Sequence, residues 1–438
     1  MFKFSFILIF IIALSSCVHG TVEYTGAIFT KKLESSEQII KQRAKEAQSL
    51  DLPAKERYFY ERFLTKFILE PNLVKRYHLT NSNVSEAHID ESLLFLAYLA
   101  LRYQVTQEAK YQETAHKIIQ GLYFLENLDG FNGYLPRYVI KKGDNFMPSK
   151  EQIATNSYSL LAFAYLLAYQ NFDNEKIKNM LTKHLTIITK YILEHNLELV
   201  EPDGSKVEFG KFNAKFDPSK QLTGLAFFET ANVIVRNDQI KAALQDKLEN
   251  LYRKKYRKKN KITYLRLFGF WDLASTSSNW LNYIKLYTAI KATNHPIYKK
   301  MFSKLYHNLA KEENIFYDLL YYDIYPTALS QLHYSKQILA SFPLELNNNE
   351  IINSGRATVK TTKFTNIIKN KRWLETSKPL PIYARPIIYH EWKRNQFRVN
   401  GNIGANGNVE FSGLDFLLAY SIYEKILKFT QYEANSHY

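Results

Sequence analysis

Three features of the sequence predict an all-helical chain built from paired helices. Apolar residues recur at helical spacing through most of the chain, as in Leu93, Leu94, Ala97, Ala100 and Leu101 with Leu96 and Tyr103 alongside, while strand-type alternation is sparse. The helices follow one another in consecutive pairs whose internal joints are short. The joints between pairs are long and collect the Gly, Pro and Asp residues.

In chain order the expected pairs span about 37–49 with 53–69, 86–104 with 107–127, 151–171 with 174–194, 219–235 with 238–258, and 277–293 with 296–312. A sixth, about 326–340 with 412–430, is split by a long stretch rich in Asn, Pro and Thr. Joints as short as Thr106, Asp173-Asn174 and Asn294-His295-Pro296 force antiparallel packing within a pair. The longer Asp129-Gly130-Phe131-Asn132-Gly133 and Pro202-Asp203-Gly204 lie between pairs. Six hairpins are what an (α/α)6 toroid requires, with inner helices converging on one hollow and loops gathered at a rim. An open superhelix of tetratricopeptide type is the competing architecture. The chain lacks its 34-residue repeat, and the hairpin lengths vary too much.

Residues Met1–Ser16 carry one charged side chain, Lys3, and an apolar run from Phe6 to Leu14. That is a signal-peptide pattern, too short for a membrane span of roughly 20 residues. Cys17 is the only cysteine among 438 residues and admits two readings. Leu14-Ser15-Ser16-Cys17 reads as a bacterial lipobox whose thiol takes a lipid, whereas Val18-His19-Gly20 reads as an ordinary cleavage site that discards Cys17. The lipobox is favoured, because a lone cysteine beside a matching Leu-Ser-Ser is an improbable accident. Residues 1–16 are then a leader, 17–36 an anchor and linker, and 37–438 a single toroid domain. The expected place is the cell envelope, on a bacterial membrane facing the periplasm or the surface; the alternative is secretion. One cysteine excludes an intramolecular disulfide and a thiolate metal cluster.

A hydrophobic content of 46%, with 15% aromatic, supports a large packed core. The net charge of +16 is mostly lysine scattered along helices. Its one dense block, Tyr252 to Lys259, reads as a solvated helix end, with contact to anionic headgroups or an acidic glycan as the alternative. No nucleic-acid motif accompanies the charge, so nucleic acid is not an expected partner. No His or carboxylate grouping has metal-ligand spacing, and no cofactor is expected.

The ordered pieces "HIDESLLFLAYLALRYQVT", "GLYFLENLDGFNGYLPRYV", "LVEPDGSKVEFGKF", "ASTSSNWLNYIKLY", "EENIFYDLL", "SFPLELN" and "EWKRNQFRVNGN" resemble a bacterial family of six-hairpin glycosidase-like proteins, mostly uncharacterised. The resemblance spans nearly the whole mature chain and implies the toroid and a central cleft without fixing a reaction. It implies rim roles for Asp90, for Gly133, Tyr134 and Arg137, and for Trp392, Arg394 and Asn395. One departure stands out. Where many members of that family have an Asp-Thr-Ser-x-Asp-Glu stretch, this chain reads Gln152-Ile153-Ala154-Thr155-Asn156-Ser157, without the carboxylates.

Glycoside hydrolysis usually needs two carboxyl groups flanking the bond, one of them kept protonated. Asp90 and Glu91 open an inner helix, where capping is the bland reading and acid–base work the functional one. Asp129 and Asp203 stand beside glycines as ordinary turn residues. Asp318 and Asp323 lie in "FYDLLYYDIYP", an aromatic patch that reads either as the floor of a sugar site or as plain core. His88 is a further acid–base candidate or a polar neighbour of the helix start. Arg137 and Arg394 suit bidentate grip of an acidic glycan, with Trp392 as a stacking plane; loop-tying is the alternative. Asn156 and Asn279 offer amides to a sugar, and Asn279 also fits a helix cap. The Gly401 to Gly407 stretch reads as a flexible rim loop. Two functions follow as expectations: an envelope-anchored glycoside hydrolase or polysaccharide lyase acting on an acidic glycan, or a lipid-anchored binding or assembly protein without catalysis. Neither fixes an oligomeric state.

Overall fold

The computed structural model describes residues 26–79, 84–128, 130, 132–149, 153–213, 217–249, 276–309, 312–325, 329–351, 359–361, 373–399 and 401–436. Thirteen α-helices run through them: α1 (Gly26–Ala47), α2 (Leu52–Lys66), α3 (Ile89–Thr106), α4 (Ala109–Asn127), α5 (Thr155–Asn171), α6 (Glu175–Glu194) and α7 (Pro218–Ile234), followed by α8 (Asp238–Lys247), α9 (Thr276–Thr293), α10 (Pro296–Leu309), α11 (Ile315–Ile324), α12 (Leu332–Ala340) and α13 (Leu414–Ser436).

Side-chain patterning decides which helices go inside. In α5 every residue from Ser157 to Ala168 is buried, because the sequence is apolar on all sides of the helix. In α6 the buried set is Ile177, Leu181, His184, Leu185, Ile188, Tyr191 and Ile192 with a neighbouring threonine, a single face, so that helix lies outside. The alternation holds along the chain. Inner α3 packs on α5, α5 on α7, α7 on α9, α9 on α11, α11 on α13, and α13 returns to α3, which closes the ring. The fold is the (α/α)6 toroid that the sequence predicts.

Closure depends on one tight approach. Gly413, at φ +80°, enters α13, and a Cβ there would stand 2.5 Å from the ring of Phe59 on α2. Beside it Arg62 of α2 donates to the Ser412 and Phe411 carbonyls at 3.1 and 2.6 Å and pairs with Glu410 at 2.7 Å. The first and last ring helices are thus joined by backbone contact and by a charge-assisted tie. Other seams carry buried carboxylates: Glu56 takes bonds from Tyr98 and Tyr111, Glu126 faces His184 at 2.8 Å, and Tyr298 donates to Glu229 at 2.8 Å.

Short joints follow the inner helices, at 107–108, 172–174 and 235–237, so the long connections all lead into inner N-termini. Those connections form small sheets. Strands β1 (Ile68–Leu69) and β2 (Leu73–Val74) pair, and β3 (Tyr77–Leu79) pairs with a late strand. Next, β4 (Val84–His88) pairs with β5 (Tyr138–Lys142), and β5 with β6 (Asn145–Pro148), in a register that sets His88 opposite Tyr138. Further on, β7 (Glu198–Val200) pairs with β8 (Lys206–Lys211). The last strands are β9 (Asn347–Ile351), β10 (Val359–Thr361), β11 (Trp373–Glu375) and β12 (Gly401–Phe411).

Three expectations are corrected. The helix predicted at 37–49 belongs to α1, which begins at Gly26 inside the stretch assigned to the linker and is not a ring member. It packs on the turn Ile382–Ala384 and on β9, with Arg43 donating to the Arg385 and Asn347 carbonyls at 3.2 and 3.1 Å. The fifth inner helix is α11, read from the sequence only as an aromatic patch. Its ten residues are too short and too uniformly apolar to show periodicity, and Asn314 starts it by accepting from the Phe316 amide at 3.1 Å. Finally, the Gly401 to Gly407 stretch is strand, not loop: β12 is the centre of a three-stranded sheet with β3 and β9.

Candidate functional site

Because the inner helices run in one direction, their N-termini meet at one rim, where six positive dipole ends favour negative charge. First-turn acids answer this: Asp90 and Glu91 on α3, Asp318 on α11 and Asp415 on α13. The segment before β12 folds over the seam between α3 and α13 and adds Glu391, Trp392, Lys393 and Arg394.

Lys393 Nζ stands 3.7 Å from Glu91 Oε1 and 3.6 Å from Glu391 Oε2. One ammonium therefore bridges two buried carboxylates. Arg394 Nε reaches Glu391 Oε2 at 3.2 Å. Asp415 accepts from the Trp392 amide at 2.9 Å, the indole Nε1 donates to the Asp415 carbonyl at 2.8 Å, and Asn314 Nδ2 holds the Trp392 carbonyl at 2.7 Å. Arg76, Glu91, His390, Glu391 and Asp415 line a cavity of about 20 Å³, closed by Phe342 and its neighbours. That space admits about one water molecule.

The protonation states divide. Burial, and then the charge of Glu391, push the Asp415 carboxyl up to about 7. Burial also raises Glu91. Glu391, in spite of its burial, is held below the usual range by Lys393, Arg76 and Arg394. Lys393, against its own burial, is raised by Glu391 and Glu91. The rim thus sets a carboxyl poised between neutral and ionised beside one that stays ionised.

Several sequence-predicted residues meet here. Asp90 lies in the first turn of α3 with Oδ1 buried and without a hydrogen-bond partner. His88, not Asp90, holds the N-cap position, stacks on Tyr138 at 4.9 Å and is lowered to about 4 by burial and then by Arg76. It is neutral at pH 7 and so is not an imidazolium acid there. Arg137 is exposed, and its carbonyl accepts from the Ile89 amide at 3.2 Å. Arg394 is half-exposed beside Glu391. Trp392 is 1% exposed, so it has no free face for a sugar and instead anchors the loop that presents Glu391.

The others lie elsewhere. Tyr134 is buried behind the rim, and burial with a bond to Glu201 pushes its hydroxyl well above the usual phenol range. Asp318 faces Tyr306 of α10, which donates at 2.9 Å, and burial raises it to about 6. Asn395 accepts from the Phe397 amide at 2.9 Å in a local turn. Asn279 reaches Glu312 at 3.5 Å. Asp203 accepts from the Ser205 amide at 2.8 Å, the turn role expected of it. Cys17, Asp129, Gln152 and the basic block at 252–259 lie outside the described residues.

On the opposite side of the ring Asn156 of α5, at the start of the helix, meets a residue that sequence reasoning missed. Lys285 of α9 is wholly buried, and its Nζ donates to Asn156 Oδ1 at 3.2 Å, to Ser219 Oγ and carbonyl at 2.9 and 3.2 Å, and to Asn282 Oδ1 at 3.4 Å. Burial lowers it to about 7. Asn279, Asn282 and Lys285 recur every third residue along the helix, a polar stripe readable from sequence. Glu391 and Asp415 were missed as well, although Glu391 opens the quoted piece "EWKRNQFRVNGN".

A broader groove of about 660 Å³ between α4 and α6, lined by Gln120, Tyr123, Lys176 and Met180, lies on the outer wall, away from this chemistry. Among the described residues no group of three or more His, Cys, Asp or Glu could hold a metal ion, and no helix is long and apolar enough to cross a membrane.

No protein-family model and no curated protein matches the sequence. Among solved structures the chain is similar to the cellobiose 2-epimerase of Bacillus thermoamylovorans, at 10% identity and TM-score 0.42 over 90% of this chain and 100% of that one. It is similar to an α-mannanase of Bacteroides thetaiotaomicron, at 9% and 0.41 over 90% and 100%, and to a D-mannose isomerase, at 13% and 0.41 over 86% and 97%. At these identities and scores the likeness carries no weight for the chemistry, which rests on the residues above.

Proposed function

We propose that the protein is a carbohydrate-active enzyme that hydrolyses an acidic glycan at the N-terminal rim of the toroid. The observation that carries this reading is a carboxyl poised to hold a proton and an ionised one lining a single water-sized cavity. Such a pair is what inverting glycoside hydrolysis requires: an acid to protonate the leaving oxygen and a base to take a proton from water. Asp415 is the acid in this reading. Glu391, ionised between Lys393 and Arg394, is the base, and Glu91 shares the bridging ammonium. The two guanidinium groups nearest the surface, Arg137 and Arg394, give the rim its attraction for an acidic chain.

The test is incubation of the soluble domain with a panel of envelope and host glycans, scored for new reducing ends, for unsaturated products and for binding. Hydrolysis of an acidic glycan that is lost in Asp415→Asn supports the reading. Turnover that persists in that variant overturns it, as does the absence of turnover on any acidic glycan.

A second reading is a glycan-binding protein without catalysis. Lys393, in salt-bridge contact with Glu91 and with the proposed base Glu391, favours it. Binding without product in the same panel would select it. For location, the sequence supports export and a lipid on Cys17. Metabolic labelling with a fatty acid, present in the wild type and lost in Cys17→Ala, tests that.

A further inference from the structure

Lys285 is a buried cation that touches no carboxylate. Its four contacts are the Asn156 amide, the Ser219 hydroxyl and carbonyl, and the Asn282 amide, contributed by α5, α7 and α9. Burying an ammonium against neutral acceptors costs much of its hydration, which is why such groups are usually paired. Other buried cations have evident structural roles. Lys55 donates to the Ala340 and Phe342 carbonyls at the end of α12, and Lys425 pairs with Asp323 at 2.6 Å. Lys285 has neither a carboxylate nor a helix C-terminus beside it, and its acceptors are mostly side chains.

Its position is also informative. Helices α5 and α9 are separated in the ring by α7, yet they pack on each other, so that the three helices enclose Lys285. Asn156 is the exposed member of the group and Ser219 is half-buried. The Asn156 amide oxygen occupies the place beside Nζ that a carboxylate oxygen would take. Rotating this one exposed side chain uncovers the ammonium on the side that Asn156 occupies. The Ser219 hydroxyl donates to Asn282 Oδ1 at 2.7 Å, which orients the Asn282 side chain and leaves its NH2 as the donor for a second oxygen.

We infer that Lys285, Asn156, Ser219 and Asn282 form a subsite for the carboxylate of an acidic sugar, on the wall of the hollow opposite Asp415 and Glu391. This rests on the reading of the hollow as a glycan site and names the substrate class as uronic-acid-containing. The charged groups around the subsite leave Lys285 as its titrating member. Asp217 caps α7 through the Ser219 and Lys220 amides at 3.0 and 3.1 Å and acts on Lys285 only through space. Glu229 of α7 is held by Tyr298 of α10, and Asp323 of α11 by Lys291 of α9 and Lys425 of α13. A bound carboxylate favours the charged amine, so binding takes up a proton. Affinity therefore falls as pH rises past about 7.

The experiment is calorimetric titration of the folded chain with glucuronate, glucose and glucose 6-phosphate at pH 6 and pH 8, in buffers of differing ionisation heat. The expected result is glucuronate binding that is about tenfold weaker at pH 8, with proton uptake, and no comparable binding of glucose. Asn156→Asp fills the subsite with a fixed carboxylate and abolishes glucuronate binding while the unfolding transition is retained. Lys285→Met should do the same if it folds. Equal binding of glucose, pH-independent binding, or glucuronate binding that survives Asn156→Asp overturns the inference, the last by placing the anion on Arg137 and Arg394. Tighter, pH-dependent binding of glucose 6-phosphate overturns the carboxylate assignment in favour of phosphate. Glucuronate binding as expected, in a protein that turns over no glycan, leaves this subsite standing and removes the hydrolytic proposal.

Discussion

Two buried clusters of acids and lysines lie at opposite ends of the same ring, and they differ in what surrounds each carboxyl group. Toward the inner-helix C-termini, Asp323 receives Lys425 at 2.6 Å, Tyr287 at 2.6 Å and Lys291 at 3.5 Å. In spite of burial the two lysines lower its carboxyl to about 2. At the N-terminal rim Glu91, Glu391 and Asp415 crowd around Lys393 and two arginines, and Asp415 is pushed the other way. The same side chains at similar burial give a settled tie in one place and a poised proton in the other. A carboxylate set alone between two ammonium groups is held ionised, whereas buried carboxyls crowded against one another create a titratable group, and such groups concentrate at functional sites.

The sharpest way to break the comparison is to neutralise one acid in each cluster. Asp415→Asn should lower turnover by about a hundredfold to ten-thousandfold while the fold is retained, read in steady-state kinetics on the glycan found active. Asp323→Asn should instead cost about 3–5 kcal/mol of stability, because it leaves two ammonium groups facing a neutral amide, and denaturant unfolding measures this. Gly413→Ala is a smaller structural change. Its methyl meets Phe59 at a positive φ, and a loss of about 1–3 kcal/mol is expected in the same assay.

The pH dependence separates the clusters by sign. Asp323 has a folded-state value below its unfolded one, so its contribution is present above the ordinary carboxylate value of 3.8 and is lost as pH falls toward 2. Asp415 has a folded-state value above its unfolded one. The folded chain then holds the extra proton, and this group's contribution to stability falls as pH rises from about 4 to about 7. Asp415→Asn should therefore gain stability over wild type at pH 8 relative to pH 5, and Asp323→Asn should lose most of its deficit near pH 2. Chemical unfolding across that range checks both.

Much of this was legible in the sequence. Helical periodicity, short joints and long loops were sufficient for the ring, because they are local properties of neighbouring residues. Helix α11 was not legible, since its ten residues carry apolar and aromatic groups on every side. Half of the rim was also within reach: His88, Asp90, Arg137, Trp392 and Arg394 do converge there. The roles of individual residues were not. Trp392 reads as a stacking plane until its burial is known, and Asp415 reads as an ordinary first-turn acid until Glu391, distant in sequence, is brought beside it. Lys285 reads as a surface lysine because only the ring places α5 and α7 against it.

The most direct test of the central claim is the protonation of Asp415 itself, followed through the carboxyl carbon signals of aspartate-labelled protein between pH 5 and 9, with Asp415→Asn as the assignment control. The predicted result is two titrating aspartate signals, Asp318 near pH 6 and Asp415 near pH 7, of which only the second disappears in the variant. If no signal that titrates near pH 7 is lost in the variant, Asp415 is ionised as Asp323 is, and the difference between the two ends of the ring is contradicted.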